Sequence, residues 1–448
     1  MFCFLFILIG VFAVLYSQGY ALDLNLRSGK IKIVKTGAIF VETNLGDAEI
    51  YVSEKFKGKT GMIFKNAFKK NLIPKTYKIE LKKERHWPWT KNLEIKEKLT
   101  TEIKNVILLP KDPEKQLILV KNVQKFFVSP DEKKIAYLPI DEKLEVFNVE
   151  GKNTQPILEA GKIDWILWTA NSRNLFLRTW AGQKPRYFIW QENSTAPLDL
   201  DKIIGDSFNP VEFKWHPKDS TQIYFLNQRK NVNSLYKIGL LSGTVSSEII
   251  KNTRNYEISD EGIYFFDKSS GLLFKTDFEG KSREQLTLLP LPNYNEETEY
   301  KIFVLGPKIG LRDHNNDFYL FNLDLKTFEK AGENIKSAEL SKDSKKLLYF
   351  GQNEIWILYL EDVLIQPFKY KGDKELIGRF SSPIENVFWY PDDEHLIISI
   401  QNTAKITELD GRDIRNTVDF LTGEQIYYGK SEKKIYFLDS GKLYSVKL

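Results

Sequence analysis

The chain is poor in the residues that most often carry chemistry. Its 448 residues include one cysteine, four histidines and two methionines. The cysteine, Cys3, lies in an apolar N-terminal stretch, so the sequence offers no disulfide framework and does not constrain the redox compartment. Lysine and arginine exceed aspartate and glutamate by only 65 to 60, and the two signs are interspersed without a basic block. This charge pattern argues against a nucleic-acid-binding surface.

The few histidines are not arranged as metal ligands. They are His86, His216, His314 and His395, and none is paired with another at metal-ligand spacing. His216 and His395 fall at predicted turns between strands. His314 begins a polar run, His314-Asn315-Asn316-Asp317, that lacks the regular order of a calcium loop and instead predicts a hairpin turn.

Motifs for covalent catalysis and phosphate binding are also missing from the sequence. There is no Gly-x-Ser-x-Gly elbow, and Gly58-Lys59-Thr60 lacks the four-residue spacer of a phosphate loop. The paired carboxylates Asp392-Asp393 lie at a predicted turn, where capping is their ordinary role. We therefore assign no catalytic, cofactor-binding or metal-ligating residue, and we expect neither an enzyme activity nor a cofactor.

What the chain does contain is a repeated strand–turn–strand unit. Its clearest copy is Phe127-Val128-Ser129-Pro130-Asp131-Glu132-Lys133-Lys134-Ile135-Ala136-Tyr137-Leu138. Pro130 and Asp131 favour a tight turn, and the apolar run 135–138 suits a strand buried on both faces. Corresponding turn residues, separated by 35 to 49 residues, are Ser129, Thr169, His216, Ser259, Gly306, Ser341, Tyr390 and Gly429.

This period predicts an all-β propeller built from four-stranded blades. Each unit continues with a third strand and a more polar fourth one. The markers give eight blades, or seven if the unit near Tyr300 is an insertion. The last unit shows only three strands before Leu448, so we expect residues 116–120 to supply its fourth strand and remove an open sheet edge.

Tryptophans recur at strand positions of these units: Trp165, Trp168, Trp215, Trp356 and Trp389. We expect them to pack between blades; the alternative is a stacking platform for a sugar or a peptide.

The repeat is similar to a known one. The run Ser-Pro-Asp-x-Lys-Lys-Ile-Ala-Tyr, followed by a third strand and a glycine turn, resembles the TolB-like, WD40-like propeller repeat over roughly three quarters of the chain. The resemblance implies a binding propeller at residues 116–448.

Residues 36–110 form a separate small module with short predicted strands and turns, one of the turns at 56–61. Here the chain resembles a PEGA domain, a small β-sandwich of envelope proteins. The matching positions are Gly37, Ala48, the Gly58-Lys59-Thr60 turn, and the approach from Pro74 to Tyr77; Leu45, Gly61 and Lys75 depart from the family pattern. Residues 111–115, between Pro110 and the propeller, are a stiff linker.

Residues 1–22 are uncharged and mostly apolar. They predict a hydrophobic helix that anchors the chain in a membrane, a cleaved signal segment, or a buried helix of the fold. Residues 23–35 follow as a membrane-proximal stretch. Its lysines and arginine would place the large domains in the cytoplasm by the positive-inside rule, whereas the resemblance implies an extracytoplasmic location, which we favour.

Two functions follow from these observations. The first is a non-catalytic, membrane-anchored envelope protein whose propeller binds a protein or a cell-envelope polymer, with the PEGA-like module as spacer or tether. The second is an enzyme that acts on a glycan or a peptide at the mouth of the propeller channel. The absence of a convergent acid, base or metal set favours the first.

Overall fold

The computed structural model of the chain describes residues 6, 10–11, 14–16, 18–25, 30–140, 143–158, 162–229, 232–291 and 294–448. They belong to two compact units. The first unit comprises Met1–Glu114, Ser341–Leu348 and Ile355–Thr422, and the second comprises Lys115–Leu340, Tyr349–Glu354 and Gly423–Leu448.

The predicted hydrophobic helix at 1–22 lies largely outside the described residues. Among those described, none belongs to a helix long and apolar enough to cross a membrane. From Tyr20 the chain is extended: β1 (Tyr20–Asn25) pairs antiparallel with β2 (Lys30–Lys35). The predicted membrane-proximal stretch therefore contains most of a hairpin.

Residues 37–106 form two sheets that share one core. The strands are β3 (Gly37–Thr43), β4 (Glu49–Val52), β5 (Lys55–Lys59), β6 (Asn66–Leu72), β7 (Lys75–Lys82), β8 (Trp89–Ile95) and β9 (Thr100–Val106). Their orders are β6-β3-β9, with β3 and β9 parallel, and β5-β4-β7-β8. Alternate side chains of β7, namely Tyr77, Ile79 and Leu81, point into the core, as the two-residue period of a strand requires.

The turn predicted at 56–61 is wrong. Residues Lys55–Lys59 are strand β5, which pairs antiparallel with β4. The reversal lies earlier, where Ser53 and Glu54 both adopt positive φ, at 48° and 67°. Gly58 allows the strand to continue at a φ of 118°, so the glycine marks an irregular strand rather than a turn.

From Gln116 onward the described strands form eight four-stranded sheets, here named A to H. Sheets A to D contain β11 (Val123–Val128), β12 (Lys134–Pro139), β13 (Leu144–Asn148) and β14 (Asn153–Leu158); β15 (Trp165–Trp168), β16 (Asn174–Ala181), β17 (Lys184–Gln191) and β18 (Leu198–Asp199); β19 (Pro210–Trp215), β20 (Gln222–Arg229), β21 (Val232–Gly239) and β22 (Thr244–Val245); and β23 (Thr253–Ser259), β24 (Gly262–Asp267), β25 (Leu273–Thr276) and β26 (Glu284–Gln285). One short helix, α1 (Asp201–Ile204), follows sheet B.

Sheets E to H complete the set. They contain β27 (Lys301–Leu305), β28 (Lys308–Arg312), β29 (Phe318–Asn322) and β30 (Thr327–Gly332); β31 (Ile335–Leu340), β32 (Lys346–Gly351), β33 (Glu354–Tyr359) and β34 (Lys374–Arg379); β35 (Ile384–Trp389), β36 (His395–Ile400), β37 (Thr403–Glu408) and β38 (Thr417–Thr422); and β10 (Gln116–Leu119), β41 (Lys442–Lys447), β40 (Lys434–Asp439) and β39 (Glu424–Gly429). The predicted pairing of the 116–120 segment with the last strand is confirmed, since β10 pairs antiparallel with β41.

In the second unit the second strand of a sheet packs against a neighbouring sheet on each side. In β16, Leu175 and Leu177 join a core with sheet A, whereas Phe176 joins a core with sheet C. Cores of the same kind join sheets C and D, sheets D and E, and sheets H and A. Repeated antiparallel four-stranded sheets packed face to face are the architecture of a β-propeller.

Tryptophans at the ends of first strands tie neighbouring sheets together. The indole Nε1 of Trp168 donates to the carbonyl oxygen of Phe127 in sheet A at 3.1 Å, and that of Trp215 donates to the carbonyl oxygen of Leu167 in sheet B at 2.9 Å. Packing between sheets is therefore the role of these two residues, and the predicted stacking platform is not needed to explain them.

A buried carboxylate joins the first sheet to the last. Glu132 lies in the turn of sheet A with a φ of 59° and is only 4% exposed. It accepts hydrogen bonds from the backbone amides of Ser431 and Glu432 at 2.6 and 3.0 Å, and from the hydroxyl of Tyr436 at 3.1 Å. A Cβ on Gly429 would overlap the carboxylate, so this contact requires glycine there.

In the first unit the module contacts sheet G through a buried lysine. The side chain of Lys91 is fully buried; its Nζ donates to the carbonyl oxygen of Asp410 at 2.7 Å and lies 2.9 Å from Oε1 of Glu408. The other carboxylate oxygen of Glu408 accepts from Nε1 of Trp89 at 2.8 Å. Removing one member of such a buried pair leaves an uncompensated charge, so the contact fixes the module on sheet G.

We predict that Glu132→Ala lowers the free energy of unfolding by about 2–3 kcal/mol, because two backbone amides and a phenol lose a charged acceptor. Gly429→Ala should have a similar effect, since the added methyl displaces the same carboxylate. The two effects should not add in the double variant. Denaturant titration followed by tryptophan fluorescence measures all three.

The matched control is Glu150→Ala, which removes an exposed carboxylate that pairs with Lys133 at 2.8 Å near the same turn. An exposed pair contributes little, so this variant should stay within about 0.5 kcal/mol of the parent. Equal losses for Glu150→Ala and Glu132→Ala, or fully additive losses for Glu132→Ala and Gly429→Ala, would contradict the assigned contact.

Candidate functional site

The larger of two candidate sites is a polar cleft in the second unit, here called the large cleft. It has a volume of about 600 Å³ and is formed by sheets C and D and the segment before β27. Its lining residues are Val211, Glu212, Leu226, Gln228, Asn233, Arg254, Asn255, Lys268, Glu297, Glu299 and Tyr300. This volume is in the range of clefts that take up small molecules or short polymer segments.

Part of the lining is held by hydrogen bonds. Arg254 donates from Nη1 to the carbonyl oxygen of Glu296 at 2.6 Å, and it also donates to the carbonyl oxygen of Glu297. The hydroxyl of Tyr300 accepts from the backbone amide of Asn295 at 3.1 Å. These contacts fix the 295–300 segment against sheet D, so one wall of the cleft is ordered before a ligand arrives.

Other polar groups in the large cleft are available. Within the described part of the chain, the side chains of Gln228, Asn233 and Glu299 have no hydrogen-bond or ion-pair partner. Two amides and a carboxylate can together donate and accept several hydrogen bonds. The large cleft therefore suits a ligand with many hydroxyl or amide groups.

The second candidate, here called the small cleft, lies in the first unit. It has a volume of about 70 Å³ and lies between the module, where Lys104 and Asn105 line it, and the strands of sheets F and G. Further lining comes from Lys346, Tyr359, Val363, Ile365, Gln366, Pro367, Lys369, Glu394, His395, Glu408, Leu409 and Asp410. This volume admits water molecules rather than a sugar ring.

Ionisable groups converge at the small cleft. Nζ of Lys346, whose side chain is 3% exposed, lies 2.6 Å from Oε1 of Glu394. Nδ1 of His395 lies 2.8 Å from Oδ2 of Asp392. Burial raises the pKa of Glu394, and the neighbouring Lys346 only partly offsets this effect. Burial also pushes the pKa of Asp392 upward, but hydrogen bonds from His395 and from backbone amides outweigh it, so that pKa lies below its ordinary value.

The structure separates the four histidines. His86 contacts the carbonyl oxygen of Glu84 through Nδ1, at 2.7 Å. His216 accepts from the backbone amide of Asp219 at 3.0 Å, and its ring packs at a tilt against that of Phe278; burial lowers the pKa of His216. His216 therefore closes a turn, in agreement with the sequence.

The remaining two histidines differ in their surroundings. His314 is exposed in the loop between β28 and β29, where the backbone amides of Asn315 and Asp317 donate to Asp313; this is the predicted polar turn. His395 was expected in a turn but begins strand β36 and is 6% exposed. The reason is that Asp392 accepts from the amide of His395 at 3.1 Å and so ends the turn one residue earlier.

The described residues form no metal centre, because no group of three or more histidine, cysteine, aspartate and glutamate side chains among them is placed to hold an ion.

The sequence alone did not predict that Lys346 and Glu394 form an ion pair. The repeated Lys-Lys of the turn motif could have indicated this pair. Lys134 occupies in sheet A the position that Lys346 occupies in sheet F, and its Nζ lies 2.7 Å from a carboxylate oxygen of Glu192 in sheet B.

We predict that Lys346→Met destabilises the fold by about 1–2 kcal/mol at neutral pH, less than for a fully buried pair because Glu394 keeps some exposure to water. Without the lysine, the pKa of Glu394 rises further. The folded state then gains protons relative to the unfolded state, so the loss should shrink as the pH falls toward the ordinary value of 4.5. Thermal unfolding of the parent and the variant between neutral pH and pH 4.5 measures how this loss of stability depends on pH.

The control is Lys345→Met, since Lys345 forms only an exposed ion pair with Glu361 at 4.0 Å. It should change stability by less than about 0.5 kcal/mol at any pH. We also expect Glu394→Gln to restore stability in the Lys346→Met variant, because it removes the carboxylate that has lost its partner. A loss that stays constant with pH would contradict the assigned coupling.

Comparisons with known proteins bear on the fold. No family model matches the sequence, and no curated protein matches it significantly. Among solved structures, the crystal structure of the computationally designed Ika8 protein is similar, with 7% identity and a TM-score of 0.50, over 75% of this chain and 100% of that one.

Two natural domains are similar at lower scores. The C-terminal WD40 domain of Sif2 has 14% identity and a TM-score of 0.47, covering 75% of this chain and 98% of that one. The β-propeller domain of Cps50 (Swd1) from Myceliophteria thermophila has 12% identity and a TM-score of 0.41, covering 76% of this chain and 100% of that one. At these identities a likeness bears on fold alone, and the repeated antiparallel four-stranded sheets after Gln116 have the architecture of a β-propeller.

Proposed function

We propose that the chain is a non-catalytic binding protein whose propeller takes up a protein or a cell-envelope polymer in the large cleft. The observation that carries this proposal is the set of unpartnered polar side chains, Gln228, Asn233 and Glu299, in a cleft of about 600 Å³. Gln228 and Glu299 are exposed and Asn233 is half-buried, so all three side chains are open to a ligand, and each hydrogen bond that a ligand makes with them adds affinity and specificity.

The lining favours an extended polar ligand over an apolar one. Carboxylates and cations stand side by side, as in the pair Lys268 and Glu297 at 3.8 Å, and only Val211 and Leu226 are aliphatic. Hydroxyl-rich glycans and peptide backbones both offer donors and acceptors at short intervals along a chain. Such ligands match a lining of mixed charge and amides better than a steroid or a fatty acid would.

The remaining parts of the chain receive roles in the same proposal. Sheets A to H are eight blades, and residues 36–110 are a PEGA-like module that acts as a spacer. Residues 1–22 anchor the chain in the cell membrane, with the large domains extracytoplasmic, or act as a signal segment that is cleaved on secretion. The buried contact of Lys91 with Glu408 supports a spacer of fixed geometry rather than a loose tether.

We predict that Asn233→Ala and Glu299→Ala each weaken binding to the envelope component by about tenfold, because each removes one or two hydrogen bonds that only the ligand makes. Both variants should unfold like the parent, since neither side chain has a partner among the described residues. The measurement combines a glycan and peptide array with titration of the best binder.

The matched control is Asn315→Ala, in an exposed loop of the same unit outside the large cleft, which should bind like the parent. Binding that all three variants retain in full would remove the large cleft from the proposal. A parallel loss in all three would show that the variants act through the fold.

The ionisable groups of the small cleft favour one alternative, an enzyme that acts on a glycan or a peptide. Glu394, with its raised pKa, and the Asp392–His395 pair are components of acid–base chemistry. Against it, each of these groups already has a protein partner, and the small cleft admits only water.

We therefore predict that the full chain has no hydrolytic turnover on peptides, esters or glycans, with or without added divalent metal. The measurement is a substrate panel on the parent and on the Glu394→Gln, His395→Ala, His216→Ala and His314→Ala variants. Turnover in the parent that any one of these substitutions abolishes would establish the alternative.

A further inference from the structure

The module exposes a compact apolar tip. Met62, Ile63 and Phe64, in the loop between β5 and β6, are 72%, 84% and 78% exposed. On the adjoining strands Phe56 and Phe68 are 55% and 47% exposed. Single exposed apolar residues are common on proteins, but three consecutive ones with two phenylalanines beside them form a patch that marks an interaction surface.

Hydrogen bonds hold this tip in shape. The amide of Gly61 donates to the carbonyl oxygen of Asn66 at 2.8 Å, and the amide of Lys65 donates to that of Gly61 at 3.0 Å. At the base of the loop, the amide of Thr60 donates to the carbonyl oxygen of Ala48 at 2.9 Å. The loop therefore presents its apolar side chains without having to order itself on binding.

Lysines surround the tip. Residues 53–72 contain six lysines and one glutamate, so this segment of the chain alone carries a net charge equal to the +5 of the whole protein. The strands that bear them lie together, because a Cβ on Gly58 of β5 would come within 2.8 Å of Nζ of Lys69 in β6. Of these six lysines, Lys59 alone pairs with an acidic side chain in the described part of the chain, namely Glu49 at 3.7 Å.

This combination fits a lipid surface better than a protein partner. Protein interfaces are depleted in lysine and gain most of their energy from tryptophan, tyrosine and arginine in pockets. A protruding apolar tip with a collar of lysines instead matches the layered chemistry of a bilayer: the apolar side chains enter the acyl boundary and the ammonium groups lie at the phosphates.

We propose that the tip Met62-Ile63-Phe64 inserts into the surface of a bilayer that contains anionic lipid, with the surrounding lysines bound to its headgroups. This contact is separate from the apolar segment 1–22 and does not depend on what the large cleft binds. It gives the module a second attachment to the membrane at a defined face.

The test uses a local probe, because residues 1–22 can themselves bring the full chain to a vesicle. In a Cys3→Ser background, an environment-sensitive fluorophore is attached to Ile63→Cys in the full-length protein. The probes are vesicles of phosphatidylcholine with and without phosphatidylglycerol, each with brominated acyl chains as quencher. We expect a blue shift and quenching, with an apparent affinity that falls by about tenfold or more when phosphatidylglycerol is left out or salt is raised.

Two further variants separate the components. A control label at Leu241→Cys, a leucine that is 86% exposed in the second unit, should show neither change. Replacing Lys55, Lys57 and Lys65 by glutamine should reduce the dependence on phosphatidylglycerol while leaving the fold intact, since none of the three forms an ion pair among the described residues.

Three outcomes would overturn the proposal. The first is no quenching at position 63, and the second is equal quenching at positions 63 and 241. The third is a blue shift at position 63 without vesicles that grows with protein concentration, which would assign the tip to a contact between two copies of the chain. None of these outcomes bears on the large cleft, so ligand binding there is judged separately.

Discussion

The structure of the propeller depends on second strands that are buried on both faces. Every residue of β12, β32 and β36 is buried, including the polar ones at their ends. Because side chains alternate between the faces of a strand, such a strand requires an apolar neighbour on each side. A single sheet cannot meet this requirement, so the sheets must pack against one another, as sheets H and A do through a shared core.

Stacking leaves polar atoms at the strand ends, where water is partly excluded. The chain satisfies them with side chains from neighbouring turns. Glu132 caps the turn of sheet H, the hydroxyl of Ser172 accepts from the amide of Asp131 at 3.1 Å, and Asp393 accepts from the amides of Lys342 and Asp343 at 3.1 Å. All three capping residues have positive φ, between 57° and 60°. The strained backbone conformation is therefore the one that directs each capping side chain toward the neighbouring, preceding sheet.

Much of the fold was readable from the sequence because it rests on local and periodic signals. Continuous apolar runs, turn residues at intervals of 35 to 49 residues and the short strand 116–120 predicted the sheets and the pairing of β10 with β41. The prediction of a turn at 56–61 is wrong because a glycine is typical of turns, whereas Gly58 adopts its positive φ inside strand β5. The Lys346–Glu394 pair and both clefts could not be predicted, since residues far apart in sequence meet there through packing alone. The polar residues of the large cleft carry no motif that distinguishes them from other surface residues.

The docking of the module also changes how the chain bears load. Strand β10, which completes sheet H, has only four residues and an irregular register with β41. It directly follows the module, so a pull on the N-terminus would otherwise peel it from sheet H one hydrogen bond after another. With Lys91 buried against Glu408 and Asp410, part of such a pull passes into sheet G through a buried charge cluster instead of into β10 alone. The buried contact on sheet G therefore shares a load that β10 would otherwise carry alone.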